Sequence, residues 1–494
     1  MMIRRVLLAC RGEIAFRFIR TAQRLCIETI AVYDEEEKTA PFVMAATYRV
    51  QSDMINPFAS SDYLLTIAKE YKADAIAPGY GPLAENADFA QACTDSGIIF
   101  IGPNVSALSL VGNKIQARQL AIFSEVPVIP GSAVASLSEA QELAASIGYP
   151  VLLKAVNGGG GRGIRLAESQ NMLEQAWKEV ERESLAAFGT ADLYIERFLG
   201  HNIRHIEVQI LADVTGNVIA LGERGCSIQR RRQKMVEESP VPGINATLRK
   251  VISESAVKFA RAAGYTSAGT VEFLVDTTGQ YYFIEMNGRI QVEHPVTEAV
   301  TGIDIVEAMF TIAEGKPLSD DILNIVIHGH AVEFRICAED PFQGFMPTGG
   351  VVTAYNFPHG AGIRIDTGIA ENQIQLTRYD SLCLKLIVWG RNRDEAISRA
   401  KIALDELVVA GFPTNIPFHR WLVDYAPFST GNYDLSLISD YHPEPLNETL
   451  QHDIAIAVAL REYLTMKAIS EGSAALSSFS SWRFMNERRV SYGG

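Results

Sequence analysis

Two stretches of the 494-residue chain hold residue types suited to phosphate chemistry. The first is Asn157-Gly158-Gly159-Gly160-Gly161-Arg162-Gly163, which follows an apolar run at 151–156. Consecutive glycines remove every Cβ, so backbone N–H groups can close on an anion. The loop lacks the Gly-Lys-Ser/Thr of a Walker motif and is not a G-x-G-x-x-G turn, and a bare glycine run also describes a linker. Lys154, at the end of the preceding run, tips the reading toward phosphate.

The second stretch spans 269–295. If Thr277-Thr278-Gly279-Gln280 form a four-residue hairpin loop, Asp276 faces Tyr281, Leu274 faces Phe283 and Glu272 faces Glu285. Opposed carboxylates are destabilising unless something neutralises them, and a hard cation with oxygen ligands does so. Asn287 falls on the same face as Glu285 and supplies a third oxygen. A solvated strand with chance carboxylates is the bland alternative; counting the glycine loop, a Mg²⁺ site holding nucleotide phosphates is the better reading. If the strand continues, Arg289, Gln291 and Glu293 share that face, and Pro295 biases His294 away from helix. An arginine beside a carboxylate can hold a small oxyanion while the carboxylate removes its proton.

Arg224, Arg230, Arg231, Arg232 and Lys234 crowd into eleven residues. Among hairpins and before Glu237-Glu238, they read as local neutralisation of a polyanionic small ligand rather than as a nucleic-acid patch. His205 opens the preceding strand; a lone histidine is more often a structural residue.

The elements that must position these residues begin with a strand at 6–10, a helix at 13–25 with Ile14, Ala15, Phe18, Ile19 and Ala22 on one stripe, and a strand at 29–33. Helices at 63–72 and 83–94 alternate with strands at 75–77 and 98–101. That alternation predicts a parallel sheet covered on both faces. Helices at 114–124 and 137–146, hairpins near 205–221, a β-rich stretch at 330–389 and a helix at 393–407 follow. A helix is expected at 453–470.

The 44 Lys+Arg against 58 Asp+Glu give a net charge of −14, which excludes a nucleic-acid-coating protein. Six scattered cysteines form no C-x-x-C pair, so a reducing, cytoplasmic setting is expected. The N-terminal apolar stretch is shorter than the roughly 7 to 15 residues of a signal sequence. No run is long and apolar enough to predict a membrane-spanning helix.

Taken together, Arg11-Gly12-Glu13-Ile14-Ala15, Pro78-Gly79-Tyr80-Gly81, Glu85-Asn86, the tetraglycine loop, Arg204-His205-Ile206-Glu207-Val208-Gln209, Cys226-Ser227-Ile228-Gln229-Arg230-Arg231 and the run from Glu285 to Glu298 resemble biotin carboxylase, in one colinear order over residues 3–446. The resemblance implies an α/β protein with a Rossmann-like N-terminal domain (1–113), an ATP-grasp domain (114–329) with a mobile lid at about 131–204, and a β-rich C-terminal domain (330–446). Residues 447–494 are expected to be a helical, partner-docking tail. The implied chemistry is ATP-driven carboxylation of biotin by bicarbonate, within an acyl-CoA carboxylase.

Carried over residue by residue, Lys114, Lys154, Gly160 and Gly161 would contact phosphates, and Glu196, Arg197, Phe198 and Leu199 the adenine. His205, Gln229 and Arg232 would hold the nucleotide. Glu272, Glu285 and Asn287 would ligate Mg²⁺ or Mn²⁺, with Glu272 and Glu285 also on ATP. Lys234, Arg289, Gln291 and Val292 would hold bicarbonate, Glu293 would deprotonate it, and Arg335 and Tyr80 would meet biotin.

Cys10, Ala77, Pro82, Ala84, Gly225, Arg232, Gly288 and Cys337 depart from the family pattern, and Arg24 stands where a dimer-contact Glu is common. The biotin-bearing Met-Lys-Met hairpin is absent, and Thr465-Met466-Lys467-Ala468 lies in a helical pattern. Biotin is therefore expected on a separate carrier protein, with carboxyltransferase subunits and self-association as further partners. Two rival readings stand beside this one: another ATP-grasp ligase, and a nucleotide-binding paralogue that organises a complex without turnover.

Overall fold

In the computed structural model the described residues are 2–155, 164–188, 193–200, 202–375 and 378–443, with 456–457, 459–460 and 463–464 beyond them. Met1–Tyr441 form one compact unit and His442–Gly494 another. Gly160 and Gly161, most of the expected tail helix and Thr465 to Ala468 lie outside the described residues. Among the described residues no helix is long and apolar enough to cross a membrane.

The N-terminal part is a five-stranded, all-parallel sheet in the order 48–51, 28–33, 5–8, 75–77, 99–100. Its strands are apolar on both faces, as a doubly covered parallel sheet requires. Val6, Leu8, Ala31 and Ala77 pack with Phe18, Ile19 and Phe310 on one side, while Leu7, Ile30, Val32 and Ile76 pack with Leu64, Ala68 and Phe89 on the other. The helix expected at 83–94 begins only at Ala87, because the Asn86 side chain accepts the Phe89 N–H at 2.8 Å and caps it there.

A four-stranded antiparallel sheet carries Lys154 on Val151–Ala155 and Glu196 on the neighbouring strand Leu193–Arg197. An eight-stranded antiparallel sheet then runs in the order 281–287, 267–275, 204–212, 218–230, 233–239, 330–337, 382–390, 363–367. The sequence boundary near 330 therefore falls inside one continuous sheet: Val236 pairs with Phe334, and Ser239 with Ala331.

Buried ion pairs tie the layers together. Arg17, on the helix Gly12–Arg24, reaches Glu298 at 2.8 Å and Asp304 at 2.7 Å, and Glu298 also holds Arg364 at 2.7 Å. Arg24, half exposed, turns inward to Asp304 (2.9 Å) and Glu307 (2.6 Å) of its own chain. Removing one member of a buried pair strands its partners, whereas exposed pairs contribute little. Arg17→Met is expected to lower global stability by about 3 kcal/mol and Arg24→Met by under about 1 kcal/mol, as read from urea unfolding; equal losses would refute the distinction.

Candidate active site

The site is organised by one row of side chains running across four strands. Glu285 pairs with Glu272, Glu272 with Glu207, and Glu207 with Arg224. The expected opposition of Glu272 and Glu285 holds, but by a different route. Val275 pairs with Tyr281, Leu274 with Tyr282 and Phe273 with Phe283, so the turn holds five residues rather than four. Asp276 Oδ1 organises that turn by accepting the Thr278 N–H at 2.9 Å and the Gln280 N–H at 3.0 Å. A bulge at Ile284 then restores the register of the two glutamates.

Continued extension to Glu293 does not occur. The strand ends at Asn287, and a helix begins at His294 with Pro295 in its first turn, where a missing N–H costs nothing. The reading of Pro295 as a barrier to helix was wrong for that reason. The turn still returns Glu293 to the site, and it leaves Arg289 paired with Glu85 at 3.1 Å and with Gln291 Oε1 at 3.2 Å, at the edge of the acidic row.

Cations sit between the acids. Lys234 Nζ lies 2.9 Å from Glu272 and 2.7 Å from Glu293, and also contacts Glu207. Arg335 donates from Nε to Glu237 (2.6 Å) and from Nη2 to the second oxygen of Glu293 (2.9 Å). Burial disfavours charge on Glu293, yet Lys234 and then Arg335 outweigh it and hold this carboxyl well below the ordinary range. Burial likewise opposes charge on Lys234, and Glu207, Glu272 and Glu293 overcome it. Arg224, read from sequence as part of a ligand-neutralising cluster, is fully buried and committed to Glu207, Gln209, Thr297 and Thr270. It is structural.

Glu272 also accepts from Asn287 Nδ2 at 2.8 Å and faces His205 Nε2 at 2.8 Å. Gln229 Nε2 lies 3.0 Å from His205 Nδ1 and holds the ring with Nε2 toward Glu272. His205 thus belongs to the site as an orienting group. Glu285 has no hydrogen bond or ion pair among the described residues, and burial followed by the charge of Glu272 pushes its carboxyl up. Two facing carboxylates, one unpartnered, beside the Asn287 carbonyl oxygen are a donor set that suits a hard divalent cation. His205, Glu207 and Glu272 also converge, but Lys234 and Arg224 already neutralise that cluster.

Other expected contacts are placed differently. Lys154 and Glu196, read as separate nucleotide contacts, are partners of one another. Arg197 and Phe198 use their backbone N–H groups on Pro130 and Pro150, both at 2.9 Å, and Leu199 follows them. Lys114 is exposed at the start of the helix Lys114–Phe123 and acts on Glu285 through its charge. Arg231 and Arg232 form the exposed tip of a two-residue hairpin, both with left-handed backbone, so Arg232 is not gathered into the centre. Tyr80 donates its hydroxyl to buried Glu13.

The departures from the family pattern sit in the supporting layer. Cys10 Sγ lies 3.8 Å from the Ala77 carbonyl in the core. A Cβ on Gly288 would meet Leu108 Cδ2 at 2.9 Å, so a larger residue there requires the Leu108 side chain to shift. Cys337 lines a cavity with Arg230, Glu339 and Asn415. Glu13, Glu85, Glu207, Glu237 and Lys385 were assigned no role from sequence. For Glu207, the alternation His205, Glu207, Gln209 on an otherwise apolar strand was an available signal.

A parallel N-terminal domain, an antiparallel nucleotide-type sheet and a lysine among three glutamates define an ATP-grasp ligase. The chain matches the model of the biotin carboxylase N-terminal domain at residues 2–108, that of the carbamoyl-phosphate synthase L chain ATP-binding domain at 113–321, and that of the biotin carboxylase C-terminal domain at 333–440. It is 45% identical to biotin carboxylase 1 of Bacillus subtilis, covering 89% of this chain and 99% of that one. It is 41% identical to a pyruvate carboxylase subunit of Methanothermobacter thermautotrophicus, covering 97% and 99%. Among solved structures it resembles a biotin carboxylase complex with a βγ-ATP ligand from Campylobacter jejuni (TM-score 0.85, 42% identity, 89% and 99% covered). It also resembles the biotin carboxylase domain dimer of the Hydrogenobacter thermophilus 2-oxoglutarate carboxylase with MgADP, ADP and bicarbonate (TM-score 0.84, 41% identity, 90% and 100% covered). The chain belongs to the biotin carboxylase family.

One buried group carries a pH consequence. Glu333 pairs across strands with Glu237, is fully buried, and has no hydrogen-bond partner for either oxygen among the described residues. Burial raises it well above the ordinary carboxyl range, Lys385 opposing and Glu237 adding to the rise. Burial pushes Glu237 up to about 7, with Arg335 opposing and Glu293 adding. The native state then holds protons that the unfolded chain releases, so the stability these groups contribute is complete below the usual carboxyl range and is lost as pH rises through their folded values. Between about pH 5 and about pH 8 the stability of the wild type is expected to change with a more negative slope than that of Glu333→Gln. Equal slopes in parallel unfolding series would count against it.

Proposed function

We propose that this chain carboxylates biotin held on a separate carrier protein, using ATP and bicarbonate, as the first half-reaction of a multi-subunit acyl-CoA carboxylase. The observation that carries the reading is Glu293, fully buried and kept ionised between Lys234 and Arg335. Bicarbonate lodged against Lys234, Arg289, Gln291 and the Val292 N–H draws Lys234 from Glu293, which raises the proton affinity of that carboxylate when a proton must be taken. The deprotonated oxygen attacks the γ-phosphorus and ADP leaves. Carboxyphosphate breaks to CO₂ and phosphate, the phosphate accepts the biotin ureido proton, and the deprotonated ureido nitrogen bonds to the carbon of CO₂. Arg335 faces the negative charge that develops on the ureido oxygen, stabilising it more in the transition state than in the ground state, and Tyr80 borders the same space.

A Mg²⁺ or Mn²⁺ ion on Glu272, Glu285 and Asn287 would supply charge neutralisation to the phosphates. Lys114, Lys154, Gly160 and Gly161 are assigned to those phosphates, Glu196, Arg197, Phe198 and Leu199 to the adenine, and His205, Gln229 and Arg232 to the nucleotide. Lys154 has to exchange its contact with Glu196 for phosphate. Residues 1–113, 114–329 and 330–446 are proposed as the three domains, with 447–494 as the segment that meets partners. The likeness to a pyruvate carboxylase subunit over 97% of this chain supports a multi-subunit setting, with a biotin carrier and carboxyltransferase as partners in the cytoplasm.

The pure protein is expected to hydrolyse ATP in a bicarbonate-dependent manner, stimulated by free biotin. Tight nucleotide binding without that hydrolysis would instead identify a silent, complex-organising paralogue. Glu293→Gln is expected to abolish the bicarbonate-dependent rate while ATP affinity, measured by calorimetry, stays within about twofold; unchanged turnover would refute the general-base role.

A further inference from the structure

Lys385 lies on the strand Leu382–Gly390 and is fully buried. It stands directly across from Arg335 on one neighbouring strand and from Asp366 on the other. Two cations opposed on adjacent strands repel, and an ammonium withdrawn from water is costly unless its donors are matched. The matching groups come from three separate parts of the fold. Lys385 Nζ donates to the Val292 carbonyl at 2.9 Å, forms an ion pair with Glu13 at 3.0 Å and lies 3.9 Å from Asp366. Glu13 in turn receives the Tyr80 hydroxyl.

The segment 288–293 lies between the strand ending at Asn287 and the helix starting at His294. Its neighbouring carbonyls, Gln291 and Glu293, accept backbone N–H groups from His294 and Val296, both at 3.3 Å. The Val292 carbonyl is instead held by the lysine. Val292 stands between Gln291, 3.4 Å from Glu272, and Glu293, bound by Lys234 and Arg335. Fixing the one carbonyl fixes the direction of both flanking side chains and of the peptide N–H groups beside them.

We infer that Lys385 is a positioning residue for the carboxylation reaction: its ammonium holds the Val292 carbonyl, and with it the bicarbonate-binding turn, while Glu13 on the same ammonium holds Tyr80. Lys385 thereby couples the bicarbonate side of the site to the biotin side without touching either substrate. This rests on the function proposed above and deepens it.

The test is steady-state kinetics on the full chain with ATP, bicarbonate and free biotin. Lys385→Met keeps the length of the side chain and removes its charge. It is expected to raise the KM for bicarbonate about tenfold or more, the size of one lost charged hydrogen bond, while the KM for ATP changes by less than about twofold. Lys385→Arg is expected to recover part of the bicarbonate affinity. Glu13→Gln, which leaves Lys385 and Val292 in place, is expected to raise the KM for biotin more than that for bicarbonate, and it serves as the test if Lys385→Met does not fold. A folded Lys385→Met with a bicarbonate KM within about twofold of wild type, or a Glu13→Gln that alters neither KM, overturns the inference. A wild-type chain with no bicarbonate-dependent hydrolysis defeats the functional reading itself, so the two failures are distinguishable.

Discussion

The arrangement depends on one electrostatic constraint: three glutamates, Glu285, Glu272 and Glu207, occupy one row across adjacent strands. Such a row repels itself, and burial multiplies the repulsion by lowering the local dielectric. Arg224 closes one end, and Lys234 bridges Glu207, Glu272 and Glu293. Glu285, at the other end, has no hydrogen bond or ion pair among the described residues, and Lys114 and His205 act on it only through charge. The protein alone balances the charge on one side of the row and leaves the other for a cation, which is why that end suits a metal and a phosphate chain.

The same logic extends into the C-terminal part. Glu237, Glu293, Glu333, Arg335 and Lys385 form a second patch of buried ionisable groups, all but Glu293 on strands of the same continuous sheet. Because the sheet is continuous from strand 233–239 through 330–337 to 382–390, a side chain on one strand registers rigidly against a side chain on the next. Arg335 can therefore hold Glu237 and Glu293 together. A buried network of this kind is unforgiving, since loss of one member leaves an unpaired charge in a low-dielectric interior.

The departures from family residues are absorbed locally. Arg24 satisfies acids of its own chain, and Gly288 packs against Leu108, whose side chain would have to shift for a larger residue. Neither alters a group that touches the acidic row. Exposed Arg231 and Arg232, in contrast, hold left-handed backbone at a hairpin tip, a conformation costing about 1 kcal/mol or more for a residue with a Cβ.

Periodicity and spacing were enough to determine the parallel N-terminal sheet, most helices and the hairpin that carries Glu272 and Glu285, because apolar stripes and turn residues are local signals. The long motifs identified the family for the same reason: they are contiguous. Local signals could not reveal that the hairpin turn holds an extra residue and that a bulge cancels it, nor that Pro295 sits harmlessly in a first helical turn. They also could not separate Arg224, a structural cation, from Lys234, a site cation, ten residues apart. Burial and partnership decide that difference, and both are set by strands distant in sequence. The role of Lys385, 93 positions from the carbonyl it holds, exists only once the sheet has closed, because long-range pairing alone brings the two together.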